Sequence, residues 1–339
     1  MRKSRFEFIA IVITLLGSLL FTHLYVVFCT PLSHKENLKT VSIQKGASFR
    51  VVASRLHREG LIRDVDDFLF AAWVLGAYKK SQAGEYEFSS SMAPVRIINM
   101  LKRGEIKQYP LTIPEGFNIR EIAALLEEKG LARAEDFLSR ATDRSFVKEM
   151  GFSGRTFEGY LFPDTYNVRK GTSVQAIITK MGERFKAVYH GEFEALAKKR
   201  GMTMKEVVTL ASIIEKETMA PGERPLISSV FHNRLKKRIR LQSDPTVIYA
   251  IKNFDGNLRK RDLRMKSPYN TYRHYGLPPG PISNPGKEAL SAAIEPARAD
   301  YLYFVSRNDG THQFSKSLKE HTRAVNKYQK SLGGRSPAG

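Results

Sequence analysis

Two glutamates, Glu215 and Glu217, close the stretch TLASIIEKET at residues 209 to 218. At about 100° per residue, Val207, Val208, Leu210, Ala211, Ile213 and Ile214 share one apolar face, and the two carboxyls fall on its opposite shoulders. A carboxyl in a semi-apolar pocket has a raised pKa, so it can protonate a leaving oxygen near neutral pH. The helical wheel does not choose between the two. On a lone helix, either residue is more simply read as solvated.

Cleavage of a glycan by such an acid also needs aromatic faces for sugar rings and polar groups for their hydroxyls. Tyr160, Tyr269 and Tyr272 are candidates for the faces, Asn233, Gln242 and Asn270 for the hydrogen bonds, and Glu158 and Asp244 for orienting hydroxyls or the acid itself. Most of them lie in RTFEGYLFPDTYNV (155 to 168), QSDPTVIYAI (242 to 251) and SPYNTYRHYGLPPGPISNPG (267 to 286). These segments are punctuated by Pro and Gly and mix polar with aromatic residues, the make-up of loops that carry sites. Asp244 before Pro245 also fits a simple turn or helix start, and Pro278, Pro279 and Pro281 fit a rigid loop that touches no substrate. His232, His274 and His312 have no metal-ligand spacing and no partner cysteines, so neither a metal nor a cofactor is expected. No phosphate loop, dinucleotide fingerprint or Gly-x-Ser-x-Gly elbow is present.

The elements that must position these residues begin with a long apolar run. From Phe8 to Cys29 there are about 22 residues without a formal charge, enough to cross a hydrocarbon layer of about 30 Å. Arg2, Lys3 and Arg5 precede it, so the N-terminus is expected in the cytoplasm and the body outside. The run is longer than the apolar region of a cleaved signal peptide, and Val26, Val27, Phe28 and Cys29 make a poor cleavage site. Phe28 also argues against lipid attachment at Cys29. An uncleaved single-pass anchor in the inner membrane is therefore expected. Cys29 is the sole cysteine, so the exported body must hold itself together by packing. The net charge of +21 comes with no nucleic-acid motif, so anionic headgroups and wall polymer are the expected partners, not nucleic acid.

After a linker (30–38) come VSIQKGASFRVVASRLHREGLI and then LTIPEGFNIREIAALLEEKGLA. Ile43, Gly46, Ala53, Leu56, Gly60 and Leu61 recur as Ile113, Gly116, Ala123, Leu126, Gly130 and Leu131 at one constant offset, an internal repeat. Each copy reads as a strand, a Gly turn, an amphipathic helix and a Gly stop. AGEYEFSSSMAPVRIINMLKRGE between them adds a strand, a turn and a further helix. The strand-helix-helix-strand pattern resembles a LysM-like carbohydrate-binding module, with a plain scaffold as the simpler reading.

The expected architecture is α+β. It comprises a cytoplasmic tip (1–7), one transmembrane helix (8–29), the linker, a small LysM-like module (39–110), a mixed α/β catalytic domain with aromatic-rich loops (111–330) and a disordered tail (331–339).

TLASIIEKET, VFHNRL, LQSDPTVIY, SPYNTYRHYGLPPGPISNPG and YLYFV, in that order, resemble the signature run of the YceG-like endolytic murein transglycosylases. The likeness covers most of the chain and includes FEGYLFPDTY. It implies that Glu215, the first glutamate of the EKE triplet, is the acid/base. It also implies action on nascent peptidoglycan strands in the cell envelope, termination of strand growth, and a partnership with peptidoglycan synthases. The implied reaction is lytic: the carboxyl protonates the glycosidic oxygen, then takes the muramyl 6-hydroxyl proton as that oxygen closes on C1. One carboxyl serves both steps because they are sequential. A lysozyme-like hydrolase using Glu158, Glu217 or Asp244 as a second carboxylate stays open, as does a non-catalytic wall-binding anchor.

Overall fold

The computed structural model describes residues 2–78, 82–218 and 220–330. Met1 and the expected tail at 331–339 lie outside the described residues. The chain divides into two compact units: Met1–Pro110 with Asn167–Gly171, and Leu111–Tyr166 with Thr172–Gly339.

The first unit opens with α1 (Arg2–Cys29), the one helix among the described residues that is long and apolar enough to cross a membrane, over Phe6–Cys29. Then follow β1 (Leu38–Ile43), α2 (Phe49–Arg58), α3 (Val65–Val74), β2 (Gly84–Ser89) and α4 (Pro94–Arg103). β1 and β2 pair antiparallel, from Leu38 opposite Ser89 to Ile43 opposite Gly84. The pleat turns Val41 and Ile43 inward with Tyr86 and Phe88, whose rings stack at 5.5 Å. Phe49, Leu56, Phe68, Ile97 and Leu101 complete this core, and Val27 from the last turns of α1 is buried in it.

The second unit is mostly helical. β3 (Tyr109–Thr112), α5 (Ile119–Glu128), α6 (Ala134–Ala141), α7 (Arg144–Glu149), β4 (Thr165–Val168), α8 (Val174–Val188) and α9 (Glu194–Lys199) lead to α10 (Met204–Glu217). After it come α11 (Arg224–Lys236), α12 (Asp244–Ala250), α13 (Lys287–Ile294), β5 (Tyr303–Ser306), β6 (His312–Ser315) and α14 (Leu318–Val325). β3 pairs with β4, and β5 with β6, in two-stranded sheets. Both repeat copies form a strand, a turn at a left-handed glycine (Gly46, φ 82°; Gly116, φ 77°), a helix and a left-handed stop (Gly60, φ 66°; Gly130, φ 63°).

α10 is the spine of this unit. Thr203 caps it, accepting from the Glu206 amide while the Glu206 carboxylate takes the Thr203 amide, a reciprocal capping box. Val207 to Ile214 are all buried, and α13, α11 and α12 pack around them. The Pro/Gly loop at 267–286 is hung directly on this helix. Ser212 Oγ accepts from the Ile282 amide at 3.0 Å, and Ser283 Oγ donates to Ser212 O at 3.2 Å. Asn284, fully buried, ties the loop to two other segments, donating to Phe117 O and accepting from the Leu161 amide.

Candidate functional site

Two residues of α-helix turn a side chain through about 200°. Glu215 and Glu217 therefore leave the end of α10 in opposite directions, into different surroundings.

Glu215 is tied down. One carboxylate oxygen accepts from Arg224 at 2.9 Å and the other from the Gly286 amide at 2.9 Å, and its side chain is only 6% exposed. Arg224, 11% exposed, also reaches Glu115 at 3.5 Å. Burial, then the charge of Glu215, raise the Glu115 pKa, and Arg224 opposes them. Both Glu215 oxygens are thus committed, one to a buried guanidinium and the other to a backbone amide.

Glu217 opens instead onto a cleft of about 510 Å³. Its carboxyl is half-buried and accepts from Ser243 Oγ at 2.6 Å. Burial pushes its pKa up to about 7; the Ser243 hydroxyl lowers it, the Asp244 charge raises it, and Arg234 lowers it. Gln242, Asp244, Tyr272, Tyr303 and His312 also line this cleft. Tyr272 donates its hydroxyl to Asp244 Oδ1 at 2.6 Å. Gln242 has φ 49°, so the backbone at LQSD turns through the left-handed region, and its backbone amide donates to Thr271 O. Ser243 is held by the Thr271 hydroxyl, which accepts its amide at 3.0 Å, and Thr271 is itself buried beside Thr246.

The wall opposite Glu217 is fastened by Arg234. Its Nε donates to Leu302 O at 2.7 Å and a terminal nitrogen donates to Leu241 O at 2.7 Å, and the guanidinium lies 5.2 Å from the Tyr303 ring centre. His312 Nδ1 lies 2.7 Å from Glu223, whose carboxylate also accepts the His312 amide, so β6 is fixed to the approach to α11.

Glu158, Tyr160 and Tyr269 line a second cavity, of about 470 Å³, with Tyr249, Arg155, Lys205 and the prolines of the 267–286 loop. Glu158 is 2% exposed and both its oxygens accept from the Ile119 amide, at 3.2 and 3.3 Å. Burial pushes its pKa up to about 8, against the Ile119 amide and the Tyr249 hydroxyl. A carboxyl held neutral there can donate a proton in a hydrogen bond. Gly159 makes the close approach beside it possible: φ is 85°, and a Cβ would meet Pro281 Cβ and Cγ at 2.5 Å and Val208 Cγ1 at 2.7 Å. Gly159→Ala is therefore expected to cost about 3 kcal/mol, the sum of a left-handed alanine and an overpacked rigid contact. Chemical denaturation measures it, and an unchanged midpoint would refute this account of the packing.

The residues picked from the sequence therefore divide. Gln242, Asp244 and Tyr272 meet around Glu217, and Glu158 and Tyr269 line the second cavity. Tyr160 offers no face for a sugar: it is fully buried, with its ring stacked on Phe152 at 4.7 Å and edge-on to Phe185. Both asparagine amides are used inside the protein. Asn233 donates to Ala299 O and Tyr301 O, and buried Asn270 donates to Leu263 O and Met265 O. Glu215 faces Arg224 and Gly286 and is absent from the cleft lining. Ser243 and Arg234 stood inside the quoted motifs LQSDPTVIY and VFHNRL, where polar residues between apolar ones were the signal available. Tyr303 lay in YLYFV, which reads as an ordinary strand.

The YceG-like family model matches residues 41–327. The chain is 33% identical over 312 residues to a Bacillus subtilis protein named endolytic murein transglycosylase, covering 87% of this chain and 86% of that one. It is 30% identical over 329 residues to a Streptococcus pneumoniae protein of the same name, covering 86% of this chain and 59% of that one. A crystal structure of a YceG-like protein from Listeria monocytogenes aligns with a TM-score of 0.61 at 33% identity, over 84% of this chain and 98% of that one.

Proposed function

Because the chain belongs to the YceG-like family, we propose that it is a peptidoglycan lytic transglycosylase that cuts glycan strands internally, with Glu217 as its acid/base. The observation that carries the assignment within the molecule is a carboxyl whose pKa is raised to about 7 on an open cleft. Relatives named endolytic murein transglycosylases support the reaction class.

In this reading, protonated Glu217 gives its proton to the oxygen joining N-acetylmuramic acid to N-acetylglucosamine as the C1–O bond breaks. The carboxylate so formed takes the proton of the muramyl 6-hydroxyl, whose oxygen bonds to C1. A 1,6-anhydro end results, Glu217 returns to its protonated state and no water is consumed. Ser243 Oγ holds the carboxyl in line, Tyr272 and Tyr303 supply ring faces, and Gln242 with Asp244 takes sugar hydroxyls. Glu158 and Tyr269 contact a more distant part of the strand in the second cavity. In this reading Glu215, with its oxygens engaged by Arg224 and Gly286, is a structural brace, and the acid/base role that the family resemblance implies for it passes to Glu217.

Mass spectrometry of products from uncrosslinked glycan tests the reading. Anhydro ends are expected; reducing ends would show hydrolysis and make Asp244, in the same cleft, the second carboxylate to examine. The pH profile is a separate check. Since the acid must start protonated, kcat/KM is expected to fall about tenfold per pH unit above roughly 7. Ser243→Ala removes the donor that favours the ionised carboxyl, so the falling limb should move to higher pH. A limb that stays in place would detach the profile from Glu217.

The remaining architecture follows the same proposal. α1 anchors the chain in the cell membrane, with the N-terminus cytoplasmic and the catalytic domain (111–330) outside. Residues 39–110 form a LysM-like module, a reading supported by the β1-α2-α3-β2 order with its antiparallel strand pair. A short tether keeps the enzyme near newly made glycan, where it terminates strand growth beside peptidoglycan synthases.

A further inference from the structure

α3 is apolar on more faces than its own unit uses. After the acidic first turn with Asp66 and Asp67, it buries Phe68, Leu69, Ala71 and Ala72 in the core. Phe70, Trp73 and Val74 point the other way and are 44%, 68% and 51% exposed. A helix that is apolar all round is normally covered on every side. Among the described residues of this unit, α1 touches one edge of that second face at Phe28 and nothing covers the rest.

Its place relative to α1 says what does. Phe70 meets Phe28 edge-on at 6.4 Å, and Trp73 stacks on Phe70 at 6.4 Å. Lower down, His23 lies 3.8 Å from Asp67. The exposed rings are thus continuous with the outer end of α1, where Phe21 and Tyr25 also face outward, 70% and 58% exposed. Counting about 20 residues for a 30 Å hydrocarbon layer from Phe6, where the apolar span begins, places the outer boundary near Tyr25. Phe28, which Phe70 touches, lies about one turn beyond it, and Trp73 stacks on Phe70. Aromatic rings with a polar edge settle at this depth, between acyl chains and headgroups, and tryptophan does so most strongly. Arg63, exposed, lies beside Val26, Val27 and Thr30 at this level, together with Asp64 and Asp67.

We infer that the Phe70, Trp73 and Val74 face of α3 is a membrane-docking surface that lies in the outer interfacial layer of the bilayer, holding the first unit against the lipid that α1 crosses. The inference rests on α1 as a membrane span. It adds a second point of attachment, so that the first unit is seated on the membrane and does not swing on a single helix.

Trp73 is the only tryptophan in the chain, so intrinsic fluorescence reports on this face alone. The test uses the full-length protein in vesicles of phosphatidylcholine with phosphatidylglycerol, made with lipids brominated near the headgroup, near the chain ends, or not at all. Shallow bromination is expected to quench Trp73 roughly twofold, deep bromination much less, and acrylamide in the water should quench poorly. Alkaline extraction of the same vesicles keeps the two ideas apart. Protein that resists extraction while Trp73 ignores all brominated lipids would overturn the docking surface and leave the anchor standing. Protein that alkali strips off would remove the anchor and the docking surface together. Trp73→Ser should leave vesicle insertion unchanged but increase proteolytic access to the first unit; unaltered access in that variant would also count against docking.

Discussion

Glu217→Gln is expected to lower glycan cleavage by a factor of about 10³, within the range for removing a positioned general acid. It should do so while making the protein more stable at alkaline pH. The sign follows from the raised pKa. In the folded protein the carboxyl titrates at about 7 against an ordinary 4.5, so its contribution to stability is fully present below 4.5 and is lost as the pH rises through about 7. Glutamine keeps the shape, has nothing to ionise and escapes that loss. Cleavage assays on glycan, paired with denaturation at pH 6 and pH 9, read both effects. Undiminished cleavage would end the case for Glu217, whatever the stability data said.

Glu215→Gln is expected to behave in the opposite way. Removing its charge leaves the Arg224 guanidinium, 11% exposed, with only Glu115 at 3.5 Å to offset it. Breaking a buried pair from one side costs about 3 kcal/mol, and Glu115 puts the present case at or a little below that. Thermal unfolding should register the loss, and the brace between α10, Gly286 and the start of α11 should loosen. Activity per folded molecule should change by no more than a few fold, since nothing in the cleft lining is removed. A Glu215→Gln protein with wild-type stability and no cleavage would return the acid to Glu215.

These two variants also mark where reading the sequence stops. The periodicity of Val207 to Ile214 was enough to place α10 and to put two carboxyls on opposite shoulders of it. Which shoulder meets solvent in a cleft depends on residues far along the chain. Arg224 and Gly286 claim one side, and Ser243, Arg234 and Tyr303 build the other. No local pattern carries that information. Tyr160 illustrates the same limit: an aromatic residue in a loop rich in Gly and Pro looks available, yet Phe152 and Phe185 enclose it from elements on either side. Asn233 and Asn270 read as hydrogen-bonding groups for sugar, whereas their amides satisfy backbone carbonyls; amides that do so and amides that await a ligand look alike in a sequence. The glycine pairs Gly46 with Gly116 and Gly60 with Gly130 were fully legible, because a left-handed backbone leaves a residue-type signature on the spot.

The cleft around Glu217 takes its far wall from Tyr303, Phe304, Val305, His312, Val325 and Gln329, well over 80 residues further along the chain. Synthesis from the N-terminus delivers those residues last. Until β5, β6 and α14 have been made and folded, Glu217 has no opposite wall and Arg234 has no Leu302 carbonyl to hold. Synthesis order alone thus works as a timer: the cleft closes around Glu217 only after nearly the whole chain has been made.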